Sequence, residues 1–240
     1  ADPAKAAGAL GLSGPVGRRA VPPPYPPRKG EGEQGQAPRK GQGEDVWVVV
    51  LVKGFEAAKQ RLSPALDPPA RRTLAVDNAR LALRAAEAGD HVLAVCGSPE
   101  AAELASGQGA EVLLESSPAG QNPAARLGLE HAAARGAGAV VVLSSDLPLV
   151  TSDDLAGMIE AGRRLGSPAV LAAAATGRGG TNALYLCPPS VVDLHFGDAS
   201  LEKFATDAAE RQVRFQLFES PRLALDLDEP SDLEELRAIR

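Results

Sequence analysis

Apolar runs separated by helix-length stretches constrain this chain more than any other feature. "VWVVVLV" begins at Val46, "HVLAVC" at His91, "EVLLE" at Glu111 and "AVVVLSS" at Ala139, and each reads as a strand. The intervening stretches carry helix signals. Pro68 to Ala88 has apolar residues at helical spacing and stops at Gly89. Ser98 with Pro99 opens a short helix as N-cap and first helical position. Asn122 with Pro123 repeats that cap signal for a helix to about Arg135, and Thr151 with Asp154 has the spacing of a capping box for a helix to about Leu165. "AVLAAAA" and "TNALYLC" then read as strands, Ser200 to Arg211 as a helix, "VRFQLF" and "LALDL" as strands, and "PSDLEELRAIR" as a closing helix. Strands alternating with helices pair in parallel through helical crossovers. The expected fold is therefore α/β: a three-layer α/β/α sandwich with a mostly parallel sheet, whose ligands bind beyond the carboxyl ends of the strands.

Composition bounds the rest. Apolar residues make up 44% of the 240, but aromatics only 3%, so the core must be built from Ala, Val and Leu. A net charge of −6 argues against a general nucleic-acid binder. Cys96 and Cys187 are the two cysteines, which is neither a disulfide framework nor a zinc pattern and fits a reducing compartment, the cytoplasm. The seven-residue apolar run at Val46 is far too short to cross a membrane. Residues 1–44 differ in kind: Pro and Gly account for 17 of them, and "PPPYPP" is followed by a Gly, Glu, Gln and basic run. Such a segment cannot bury enough apolar surface to offset its ordering entropy, so it is expected to be a disordered tail ahead of one domain over 45–240.

The chemistry-bearing residues fall at strand ends. In "VLVKGFEAAKQRLSP" a buried-looking strand ends at Lys53 and is followed by Lys59 and Arg61, a cluster of cations that either meets an anion or is simply solvated. Asp146 follows the fourth strand, and Asp226 and Asp228 lie in "LALDLDEP". Two residues apart on an extended chain, those two carboxylates share a face, and Asp146 could join them from a neighbouring strand. Three carboxylates at one point call for a hard cation, Mg²⁺ or Mn²⁺. Asp228 could equally cap the final helix. Thr181 and Asn182 open a strand after "GRGG", a turn or an anion-binding loop. There is no G-x-x-x-x-G-K-[ST]. His91, His131 and His195 are scattered and read as structural or solvated, and both cysteines as core thiols.

Taken in order, these motifs resemble the guanylyltransferases that act on 2-phospho-L-lactate or phosphoenolpyruvate in biosynthesis of the deazaflavin coenzyme F-420. "VLVKGFEAAKQRLSP" resembles their opening motif and "SSDLPLV" their metal-binding Asp-Leu-Pro segment. "GGTNALYL" and "FGDASLEKF" are similar to their substrate motifs, and "LDLDEPSDL" to their closing acidic pair and helix. The resemblance runs from about Val46 to Arg240. It implies a nucleotidyltransferase fold of the nucleotide-diphospho-sugar-transferase type and Mg²⁺ or Mn²⁺ on Asp146, Asp226 and Asp228. It also implies acceptor contacts from Thr181, Gly197 and Ser200, and nucleotide contacts from Lys53, Lys59, Arg61 and Asn122. Asp146 and Lys53 would carry the catalysis. The substrates would be GTP and phosphoenolpyruvate or 2-phospho-L-lactate, with neither nucleic acid nor membrane as a partner. Two positions depart from the family pattern: Gly54 where Pro is common, and Phe204 where His is common.

On this reading the acceptor's phosphate oxygen attacks the α-phosphorus of GTP and pyrophosphate leaves in line. A related nucleotidyltransferase for a sugar phosphate would open with a Gly-rich L-x-G-G loop, which the chain lacks. A non-catalytic binding module would have no need of the acidic trio.

Overall fold

The computed structural model describes residues 45–56, 59–177 and 179–239, so the expected tail over 1–44 lies outside the described residues. Seven strands form one sheet: β1 (Val46–Val52), β2 (His91–Cys96), β3 (Glu111–Leu114), β4 (Ala139–Ser144), β5 (Ala169–Ala174), β6 (Thr181–Cys187) and β7 (Arg214–Leu217). Their spatial order is β3-β2-β1-β4-β6-β5-β7. The pairings β1 with β2 and β4, β2 with β3, and β5 with β7 are parallel. β6 runs antiparallel to both β4 and β5, because only a short loop separates β5 from β6. The sheet is thus mostly parallel, as expected.

Helices cover both faces. α1 (Pro68–Ala86), α2 (Pro99–Gly107) and α4 (Ser152–Leu165) pack on one side through Ala79, Ala82, Leu83, Ala101 and Met158. α3 (Gln121–Ala134) and α5 (Ser200–Glu210) pack on the other through Ala125, Leu129, Ala132, Phe204 and Ala208. With both faces covered, every residue of β1 is buried, which explains its unbroken apolar run. Glycines on the helix faces let helices lie close to the sheet. An added Cβ at Gly128 of α3 would collide with the Val49 side chain.

The caps at Ser98 and Thr151 form as expected: Ser98 accepts from the Ala101 N–H, and Thr151 with Asp154 makes a reciprocal capping box. Two expectations are corrected. The Asn122 side chain does not cap α3; Gly120 holds the N-cap position, and the Asn122 amide bonds elsewhere. "LALDL" is not a strand. Ser220 caps a short helix, α6 (Pro221–Ala224), with Pro at its start, and the chain then crosses to the last helix, α7 (Pro230–Ile239), without joining the sheet. Leu225, Leu227 and Leu236 form a small separate cluster under that crossing.

Candidate active site

The loops after β1 and β4 meet the crossing segment between α6 and α7 at the carboxyl end of the sheet. Asp146 lies two residues beyond β4. Its carbonyl accepts the Leu227 N–H at 3.2 Å and the Asn78 side-chain amide at 3.4 Å. The Leu227 bond draws the crossing segment alongside β4. Leu225 and Leu227 turn into their apolar cluster, and Asp226 and Asp228 alternate with them. The two-apart spacing therefore works as expected, although the segment is extended coil rather than strand. Asp146, Asp226 and Asp228 each bring a carboxylate oxygen to within 4.8 Å of the others.

Lys59 enters this cluster. It has left-handed backbone geometry (φ 55°, ψ 37°) just ahead of a one-turn 3₁₀ helix, Gln60–Leu62. Its ammonium lies 3.0 Å from Asp146 Oδ2 and 3.3 Å from Asp228 Oδ1. The Ser144 hydroxyl donates to Asp146 Oδ1 at 2.5 Å. Burial alone would raise the Asp146 carboxyl. Lys59, the Ser144 hydroxyl and the nearby Lys53 charge outweigh burial and hold it at about 2, so it is ionised at neutral pH. At the start of α7, Asp232 accepts the N–H groups of both Asp228 and Glu229 at 2.7 Å.

Beside the cluster a cavity of about 200 Å³ opens at the ends of β1, β2 and β4. Lys53, Gly97, Glu115, Gly120, Gln121 and Asp146 are among its lining residues. Lys53 is exposed there, and Arg61 is exposed on the 3₁₀ turn next to Lys59. Glu115 stands out because burial pushes its carboxyl up, only partly offset by a hydrogen bond from the Ala119 main chain.

The other expected residues gather at the start of β6 and α5. Ser200 is fully buried and donates from Oγ to Thr181 Oγ1 at 2.9 Å. Gly197 has φ 117°, a conformation that an L side chain rarely adopts, and Ala199 follows in the left-handed region (φ 53°). Asn182, next to Thr181, donates to the carbonyls of Leu223 (3.0 Å) and Ala224 (3.2 Å) and to Asp226 Oδ1 at 3.5 Å. It links this group to the carboxylates. Asn122 reaches across from α3: its Nδ2 donates to the Phe196 carbonyl at 3.0 Å, and its Oδ1 accepts the Phe196 N–H at 2.8 Å. Phe204 is fully buried, edge-on to both His195 and Phe196 at 5.4 Å, so it packs rather than presenting a polar group.

Ser144, Asn78 and Glu115 were not expected at the site. Ser144 sits beside the motif, in "SSDLP", and Asn78 breaks the apolar face of α1, buried at 2% exposure. Both signals were available in principle. The three histidines lie apart from the carboxylates. His91 stacks on Trp47, His131 bonds Glu111, and His195 bonds Asp207.

Known proteins are similar to this chain over most of its length. Over 191 residues the chain is 36% identical to a phosphoenolpyruvate guanylyltransferase of Sphaerobacter thermophilus, covering 78% of this chain and 90% of that one. It is 30% identical over 192 residues to a 2-phospho-L-lactate guanylyltransferase of Methanothermobacter thermautotrophicus, covering 78% and 82%. A solved nucleotidyl transferase structure from the same methanogen superposes with a TM-score of 0.59 at 18% identity, covering 81% of this chain and 97% of that one, which shows the shared fold. The model of the family described as "Guanylyl transferase CofC like" matches residues 46–238, and the chain belongs to that family.

Proposed function

We propose that this chain transfers GMP from GTP to phosphoenolpyruvate or 2-phospho-L-lactate and releases pyrophosphate, a step in coenzyme F-420 biosynthesis. The observation that carries this reading is the meeting of Asp146, Asp226 and Asp228 within 4.8 Å, beside the cavity that Lys53 lines, in a chain of this family. The relatives' names support the two acceptors.

The donor set fits a hard divalent ion. All three groups are carboxylates, and Asp146 is held ionised. Asp146, Asp226 and Asp228 would hold Mg²⁺ or Mn²⁺, which would supply Lewis-acid neutralisation of the phosphate oxygens. The chain's own groups do the rest. Lys53, exposed on the cavity wall, would offset the triphosphate charge, with Arg61 beside it and Lys59 available from the carboxylate cluster. Thr181, Gly197 and Ser200 would position the acceptor. A bond forms between an acceptor phosphate oxygen and the α-phosphorus, and the α–β bridging bond breaks with its electron pair leaving on pyrophosphate. No general base is needed, because the attacking oxygen is already ionised.

No helix among the described residues is long and apolar enough to cross a membrane. We place the chain in the cytoplasm, where buried Cys96 and half-buried Cys187 would stay reduced.

The test is a matrix of GTP or ATP against the two acceptors with Mg²⁺, following pyrophosphate and the product mass. GTP with at least one acceptor should give the GMP adduct. Turnover with ATP alone, or no pyrophosphate in any arm, would overturn the reading.

A further inference from the structure

Glu115 is an acid in a cavity that the proposed reaction fills with a polyanion, and nothing in that reaction uses it. Its place in the fold suggests a use. The strands run β3-β2-β1-β4 across the sheet, and their carboxyl ends carry Glu115, Gly97, Lys53 and, two residues on, Asp146. Main-chain bonds extend the ladders past the strands, from Gly97 N–H to the Val52 carbonyl and from Glu115 N–H to the Cys96 carbonyl, both at 2.9 Å. Glu115, Gly97, Lys53 and Asp146 therefore form one row, and all four line the same cavity. Adjacent strands are about 4.8 Å apart, so the row spans on the order of 14 Å. The Glu115 carboxylate turns back along this row toward Gly97, so it faces the cavity between the ends of β3 and β1. Phosphates drawn to Lys53 and the carboxylate cluster leave the base pointing at Glu115.

A Cβ on Gly97 would lie 3.3 Å from the Gly54 nitrogen, 3.6 Å from Pro118 Cγ and 3.7 Å from Glu115 Oε2. Glycine at 97 thus lets Pro118 and the Glu115 carboxylate close on the β2 end of the cavity wall. A carboxylate there repels phosphate and is partly stripped of water, which raises its pKa. It becomes favourable only when the ligand brings N–H donors to it. Guanine presents two side by side, N1–H and the exocyclic N2 amino group. Adenine presents an N1 lone pair at the same edge, which a carboxylate repels.

We propose that Glu115 is the residue that selects guanine, its carboxylate accepting from N1–H and the N2 amino group of GTP. This rests on the GTP reading above.

The test compares GTP with ITP, which lacks only the N2 amino group, in the wild-type chain and in Glu115→Gln, with Mg²⁺ and phosphoenolpyruvate or 2-phospho-L-lactate. The wild type should prefer GTP in kcat/KM by about tenfold or more, since a site built to hydrogen-bond a polar group rejects the analogue that lacks it. Glu115→Gln should lower kcat/KM for GTP by about tenfold or more and shrink the GTP-to-ITP preference to about threefold or less, with the acceptor KM within about twofold. Binding of GTP and ITP by calorimetry, without acceptor, should show the same narrowing. An unchanged preference in Glu115→Gln, or equal use of GTP and ITP by the wild type, would overturn the assignment while the GMP-transfer reading stands. A wild type that releases no pyrophosphate with GTP would remove both.

Discussion

Lys59 Nζ lies 3.0 Å from Asp146 Oδ2, with the lysine side chain 7% exposed and the aspartate 18%. The same ammonium reaches Asp228 at 3.3 Å, so one side chain from the first loop supplies positive charge between two of the three carboxylates. The site thus carries its own counter-charge.

Replacing that charge should expose the repulsion it offsets. Lys59→Met is expected to destabilise the chain in chelator by about 1–2 kcal/mol, less than for a fully enclosed pair because Asp228 is 38% exposed. Excess Mn²⁺ should then raise the melting temperature of the variant more than that of the wild type, since no ammonium competes for the carboxylates. Melting curves in EDTA and in Mn²⁺ decide it. An equal Mn²⁺ gain in both proteins would mean that Lys59 does not occupy the place where the metal charge acts.

Asp228→Asn separates a ligand from a cap. Asp232 already takes the main-chain N–H groups of Asp228 and Glu229 at the start of α7, and Asn caps about as well as Asp. Stability should therefore change by no more than about 0.5 kcal/mol. Turnover should fall sharply and recover in part at high Mg²⁺ or Mn²⁺. The measurement is a Mg²⁺ titration of activity beside a urea melt. A wild-type Mg²⁺ midpoint would leave Asp146 and Asp226 to hold the ion alone.

Much of this was legible in advance. The strand runs at Val46, His91, Glu111 and Ala139, the Ser98 and Thr151 caps and the shared face of Asp226 and Asp228 follow from local pattern, and the structure has them. What failed depended on distant contacts. The Asn122–Pro123 pair reads as a cap, but its amide is committed to Phe196, 74 residues away. "LALDL" alternates like a strand, yet its alternation serves the Leu225–Leu236 cluster and not a ladder. The Ser220–Pro221 signal there matches the one read correctly at Ser98–Pro99. For Lys59 the loop position suggests a phosphate cation, and the fold adds what no local pattern carries, its place among carboxylates.

Acid should weaken the chain through Asp154. This residue accepts from the Thr151 N–H (3.0 Å) and hydroxyl (2.6 Å), from Ser220 Oγ (2.9 Å) and from Arg222 Nε (2.8 Å), tying α6 to α4. Burial works to raise its pKa, but these bonds prevail and hold it below the ordinary 3.8. A folded-state pKa below the unfolded one contributes stability above the unfolded value and loses it as pH falls through the folded value. The loss therefore begins near pH 4 and deepens below it. Asp154→Asn should cost about 1–3 kcal/mol at neutral pH and flatten that acid limb. Urea midpoints from about pH 7 down to about pH 3 measure both. A parallel acid limb in the variant would assign the loss to other carboxyls.

Asn122 joins the two halves of the site. It belongs to α3, whose start at Gly120 and Gln121 lines the cavity, and it grips both main-chain groups of Phe196, the residue before Gly197. The loop from Phe196 to Ala199 is outside the sheet, so no strand ladder satisfies Phe196, and Asn122 supplies its main-chain partners. Asn122→Ala would strip two of them and let Gly197 and Ser200 drift, while Lys53 and Asp146 stay fixed by β1 and β4. The acceptor KM should rise by about tenfold, with the GTP KM within about twofold, since a loosened loop costs binding on its own side. Asn122→Asp keeps an acceptor for the Phe196 N–H but sets a carboxylate against the Phe196 carbonyl, so it should not rescue. Hydrogen exchange over residues 194–201 should speed up in both variants, and that over β2 should not. Equal rises in both KM values would point to a general loss of packing at α3, and an unchanged acceptor KM with faster exchange would show that the loop tolerates the freedom.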